Sequence, residues 1–99
     1  MLIEQSGNRE VIITGNIKSV DDSIQIKNTI NDLVAQGSRS IHLKIKDSFS
    51  LTSTAIGFLM KLVHQQRVQL MISVEDRRLY SLLEELCLLE VFNVRLVEQ

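Results

Sequence analysis

The sequence predicts a single α/β domain, with a mixed, mostly parallel sheet of about five strands and helices packed mainly on one face. Three observations carry this. Period-two apolar alternation recurs in short segments, most clearly as Ile41, Leu43 and Ile45 against His42, Lys44 and Lys46. Between those segments apolar residues recur at helical spacing, beginning with Ile26, Ile30, Leu33 and Val34. After an opening pair of strands the two patterns alternate in the order β-β-α-β-α-β-α-β, which suits strands joined by crossover helices. At 99 residues the chain has room for one domain, spanning 1–99.

Taken in order, the first strands are expected at 2–6 and 9–15, joined by a tight turn around Ser6-Gly7-Asn8. In the second, Val11 and Ile13 share one face, Ile12 and Thr14 the other. Gly15 ends it. Ser19, Asp21, Asp22 and Ser23 then offer caps and first-turn acids to a helix over about 21–36, which Gly37 stops. The strand at 40–46 has one buried and one wetter face. A helix over about 54–66 is expected to bury Ile56, Leu59, Met60 and Val63. Val68, Leu70, Ile72 and Val74 alternate with Gln69, Met71 and Ser73 in a strand over 68–74. A helix over about 76–86 turns Leu79, Leu82, Leu83 and Leu86 inward. The tail 92–97 makes a last short strand with Phe92, Val94 and Leu96. Polar outer faces on two strands leave the far face of the sheet open.

Composition removes several functions. The net charge is -1, from 11 basic and 12 acidic residues well mixed along the chain. That argues against general electrostatic binding to nucleic acid or an anionic membrane. No apolar run approaches the ~20 residues that span a bilayer, so no membrane insertion is expected. The start, MLIEQSGNRE, lacks the basic and apolar regions of a signal peptide, so a cytoplasmic location is expected. The single cysteine, Cys87, allows no internal disulfide and reads as a small, buried, inert hydrophobe. His42, His64 and Cys87 fall on three different elements without ligand spacing, so no metal site is expected. With no G-x-S-x-G elbow and no glycine-rich phosphate loop, neither enzyme activity nor a cofactor is expected.

The stretch that carries chemistry is IHLKIKDSFSLTSTAIGFLMKLV, from Ile41 to Val63. A strand ends in a short polar loop, then Thr52-Ser53-Thr54 opens a helix at once. A hydroxyl there commonly caps the helix; Ser53 or Thr54 fits that role and would contribute about 1 kcal/mol. Three in a row also make a phosphate-acceptor site, since a phosphate would meet free N–H groups and the positive end of the helix. Gly57, near the helix start, costs about 1 kcal/mol relative to Ala. It leaves the surface bare, so that another protein can approach closely.

These residues resemble the signature of STAS domains, the fold of bacterial anti-sigma factor antagonists. In that family Asp-Ser-Ser/Thr-Gly-Leu-Gly opens the helix; here Thr52-Ser53-Thr54-Ala55-Ile56-Gly57 takes its place. Upstream, Gly15-Asn16-Ile17-Lys18 stands where the family has Gly-Glu-Leu-Asp. Downstream, Leu82-Leu83, Cys87-Leu88 and Val91-Phe92 resemble its last long helix and exit. The resemblance covers nearly the whole chain. It implies a phosphorylation-controlled binding module of a partner-switching circuit. The unphosphorylated form binds an anti-sigma factor, often itself a serine kinase of the histidine-kinase-like ATPase type. Phosphorylation releases that partner, and a PP2C-type phosphatase restores binding. By position the acceptor is Thr54, with Ser53 as the alternative. The partner face is expected to include Lys18, Ser19, Thr52, Ser53, Ala55, Ile56, Gly57 and Met60. Thr52 and Lys18 replace two family aspartates, and Ala55 replaces a glycine. The same resemblance allows a STAS regulator of another effector, in biofilm or secretion control, or a STAS-like structural subunit of a transporter.

Overall fold

The computed structural model describes residues 1–7 and 9–97. Strands β1 (Leu2–Ser6) and β2 (Glu10–Thr14) pair antiparallel. Then follow α1 (Val20–Ala35), β3 (Ser40–Lys46), α2 (Ser53–His64), β4 (Gln69–Val74), α3 (Arg77–Glu85) and β5 (Val94–Leu96). Asn8, in the expected β1–β2 turn, lies outside the described residues. Its neighbour Gly7 takes φ +74°, a left-handed conformation that a glycine adopts without penalty. Among the described residues no helix is long and apolar enough to cross a membrane.

The strands lie in the sheet in their sequence order, and β2 to β5 are parallel. Every crossover therefore steps the same way. Right-handed crossovers that all step one way place their helices on one face. Burial agrees. Val11, Ile13, Ile41, Leu43, Ile45, Leu70, Ile72 and Val74 are at most 2% exposed and pack with Ile26, Ile30, Leu33, Leu59, Leu62, Leu79 and Leu83. The alternate residues Ile12, His42, Lys44, Met71 and Ser73 stay at least partly exposed on the open face. There His42 Nε2 and Ser73 Oγ share a hydrogen bond of 2.7 Å, and Lys44 pairs with Glu10 at 3.4 Å. Partial burial, then the Lys44 charge, pushes the His42 pKa below its ordinary value.

Four expectations need correction. The buried stripe of α2 is Ala55, Leu59 and Leu62, while Ile56, Met60 and Val63 are only partly buried. One residue of helix is a 100° rotation, so the inward face is turned from the one expected. In α3 only Leu79 and Leu83 are buried; Leu82 is partly so, and Leu86 is exposed. Phe92 lies in the turn before β5 rather than in the strand, wholly buried, with its N–H donating to the Leu88 carbonyl at 3.0 Å. Cys87 is exposed rather than buried.

The Cys87 correction has a backbone cause. The helix ends in a Schellman turn, with Cys87 N–H donating to the Glu84 carbonyl and Leu88 N–H to the Leu83 carbonyl. That turn puts Cys87 at φ +59°, where a side chain is strained and glycine is usual. The apolar contact of the motif is made by Leu83 and Leu88, both buried, so the cysteine between them points outward. Cys87→Gly is expected to raise stability by about 1 kcal/mol. Urea unfolding should show a higher midpoint with an unchanged slope; an unmoved or lower midpoint would dismiss the strain.

Candidate functional site

Two loops leave the same ends of β2 and β3 and are stitched together. Gly15 N–H donates to the Lys46 carbonyl at 2.9 Å. Phe49 N–H donates to Asn16 Oδ1 at 3.1 Å, and Ser50 Oγ donates to the Ile17 carbonyl at 3.4 Å. The starts of α1 and α2 therefore sit side by side. Residues 15–19 and 47–54, distant in sequence, meet at one end of the sheet.

Each helix start has its own cap. Ser19 Oγ accepts from Asp22 N–H at 3.0 Å, and Asp22 Oδ2 accepts from Lys18 N–H at 3.2 Å, a variant of the capping box. The Lys18 N–H, helped by Ser19, holds the Asp22 carboxyl below the usual carboxylate range. The stability this contributes is present above the unfolded pKa of Asp22 and is lost as the pH falls through the depressed one.

In α2 the cap is Thr52. Its Oγ1 accepts from Ala55 N–H at 3.1 Å and lies 2.6 Å from Ser23 Oγ on α1. Ser23 is only 3% exposed, and its hydroxyl also reaches the Ser19 carbonyl at 3.3 Å. A partly buried hydroxyl pair thus joins the two helix starts. The expectation that Ser53 or Thr54 caps the helix is therefore corrected: Thr52 does so, and among the described residues neither the Ser53 nor the Thr54 hydroxyl has a hydrogen-bond partner. Both residues are exposed. Their backbone N–H groups precede the first intrahelical bond, from Ile56 N–H to the Thr52 carbonyl, and so are unpaired among the described residues at the positive end of α2. Thr52→Ala is expected to cost about 1–2 kcal/mol in urea unfolding. Thr52→Ser, which keeps the oxygen, should recover most of it; equal losses in both would show that the methyl, not the cap, matters.

The other expected site residues divide. Lys18 and Gly57 are exposed, and a Cβ built on Gly57 would meet nothing within 4 Å. Ile56 and Met60 are partly buried. Ala55 is 1% exposed and belongs to the core, so it does not line the outer face. Ser19 is exposed, although its hydroxyl is committed to the α1 cap.

Sequence reasoning missed Val20 and Ile24, 66% and 46% exposed in the first turns of α1. Their spacing of four, off the Ile26–Ile30–Leu33 stripe, was the available signal. Phe49 was missed too: it is half-exposed beside this end, with the Arg78 guanidinium 4.6 Å over its ring. Arg78 is in turn held by Asp76, the cap of α3, at 2.7 Å. This hydrogen-bonded ion pair keeps the Asp76 carboxyl below the usual range.

Fold and site together define an α/β domain with a bare, hydroxyl-bearing helix start at the carboxyl end of its parallel strands. Among solved structures, the NMR structure of the protein TM1081 is similar, with a TM-score of 0.67 at 14% identity, covering 96% of this chain and 79% of that one. At that identity the likeness shows the fold alone. No family model matches the chain, and no curated protein matches it.

Proposed function

We propose that the protein is a phosphorylation-controlled binding module of a bacterial, cytoplasmic partner-switching circuit, acting as a STAS-type anti-sigma factor antagonist and not as an enzyme. Unphosphorylated, it binds an anti-sigma factor that is also a serine kinase of the histidine-kinase-like ATPase type. Phosphorylated at Thr54, it releases that partner, and a PP2C-type phosphatase resets it. One observation carries the reading: Thr52 caps α2 and leaves Ser53 and Thr54 exposed, with hydroxyls that have no partner among the described residues. A hydroxyl committed to a cap is a poor acceptor, because modifying it breaks the helix start; these two are free of that duty.

The surroundings support the same reading. A phosphate on the second helical residue would face unpaired N–H groups and the positive helix end, so the fold tolerates it. It would also set about -1.5 to -2 charges on the surface of α2 near Gly57, beside the start of α1, which exposes Val20 and Ile24. Apolar contact suits binding there, and a hydrated dianion opposes it.

The test recovers the protein from its own cells across growth states and maps phosphate by mass spectrometry. Phosphate on Thr54 is expected, or on Ser53 if the acceptor is its neighbour. Its absence in every state, with the ATPase partner present, would sink the proposal and favour the structural-subunit alternative, which needs no modification.

A further inference from the structure

At the other end of the parallel strands, away from the hydroxyls, a second polar site is built from two chain segments, Arg9 and the run 36–40. Arg9 precedes β2, Arg39 precedes β3, and Gln36 and Gly37 form the turn that ends α1. With Ser38 and Ser40 they line one cleft of about 460 Å³, within the range of small-ligand sites. The backbone under both arginines is fixed. The Arg9 carbonyl accepts from His42 N–H, and the Arg39 carbonyl accepts from Gln69 N–H at 2.8 Å.

Two features make the cleft selective for charge. Among the described residues neither the Arg9 nor the Arg39 guanidinium has a hydrogen-bond or ion-pair partner, and the lining contains no acidic side chain. Two like charges line one cleft, and no described residue of the lining offsets them. The end of α1 would ordinarily discourage an anion, since unpaired carbonyls gather there. Here some of those carbonyls are occupied: Leu33 accepts from Gln36 N–H and Ser38 N–H, and Val34 from Gly37 N–H.

We propose that this cleft binds the phosphate group of a small soluble phosphorylated ligand, clamped between the Arg9 and Arg39 guanidiniums. A guanidinium fork matches phosphate oxygens with paired N–H donors, so two forks fit one phosphate from two sides. The Ser40 hydroxyl and the Gln36 amide add neutral donors at the rim. The site is separate from Thr54 and does not depend on the switch.

The test titrates the isotope-labelled full chain by NMR with inorganic phosphate and with adenosine diphosphate, against chloride at matched ionic strength. Saturable shifts are expected at the Arg9 and Arg39 side-chain Nε–H signals and at the Gly37 amide, under both phosphate ligands and not under chloride. Arg9→Gln and Arg39→Gln should each weaken binding about tenfold, equivalent to ~1.4 kcal/mol. Both side chains are exposed, so both variants should keep the native spectrum elsewhere. Identical shifts with chloride, or unchanged phosphate affinity in the double variant, would overturn the proposal.

Discussion

Thr54→Glu is expected to weaken binding to the proposed ATPase partner by two to three decades, a loss of ~3–4 kcal/mol, while leaving the fold intact. The two halves of that expectation have separate causes. Thr54 is the second residue of α2, with Thr52 as the cap, so a carboxylate there lies beside the positive helix end. Such an acid stabilises a helix by about 0.3–1 kcal/mol. The melting temperature should therefore stay level or rise slightly. The loss falls on the complex, where a charged, hydrated group would have to be buried against apolar contact from Val20, Ile24 and Gly57. Thr54→Ala keeps the surface small and uncharged and should bind as the parent does. Titration calorimetry or surface binding with the purified partner reads both variants. Equal affinities would remove Thr54 from the switch, and a loss confined to Ser53→Glu would move the acceptor by one residue.

Phe92→Ala is expected to cost 3–5 kcal/mol of folding stability, the usual range for a fully buried phenylalanine. Phe92 is 0% exposed and sits in the turn that carries the chain from α3 to β5, packed into the main core. The side chain fastens the last crossover to the core just ahead of a strand only three residues long, Val94–Leu96. Against a total of roughly 5–15 kcal/mol, the loss leaves a small domain marginal or unfolded at ambient temperature. The control is Phe49→Ala. That ring is 45% exposed and contacts Arg78 at 4.6 Å, so its removal should cost a fraction as much. Urea unfolding that ranked the two alike would show that Phe92 does not close the core.

Element order and sheet faces were legible because a strand's period of two is unforgiving. Shifting Ile41, Leu43 and Ile45 by one residue would bury His42, Lys44 and Lys46. In α2 the same reasoning failed by one residue. Ile56, Phe58, Leu59, Met60, Leu62 and Val63 are nearly apolar all round, so several stripes fit the sequence almost equally. Small, pale Ala55 gave no sign that it belongs to the core. The hydroxyl triplet was visible as a unit, but the division of labour within it was not. That division depends on Ser23, 29 residues away from Thr52, and no local pattern announces a partner delivered by packing. Cys87 failed for a backbone reason: the turn that ends α3 fixed its direction, and residue chemistry had no say.

The Ser23–Thr52 pair has a thermodynamic consequence. The hydroxyl that fastens the two helices is a different atom from the exposed Ser53 and Thr54 hydroxyls, where we place the modification. Modification of Ser53 or Thr54 therefore need not pass through a locally opened state, and the modified and unmodified chains should share nearly the same unfolding curve. A signal written on this helix would draw its free energy mainly from the partner's surface and shift the domain's own stability by no more than about 1 kcal/mol.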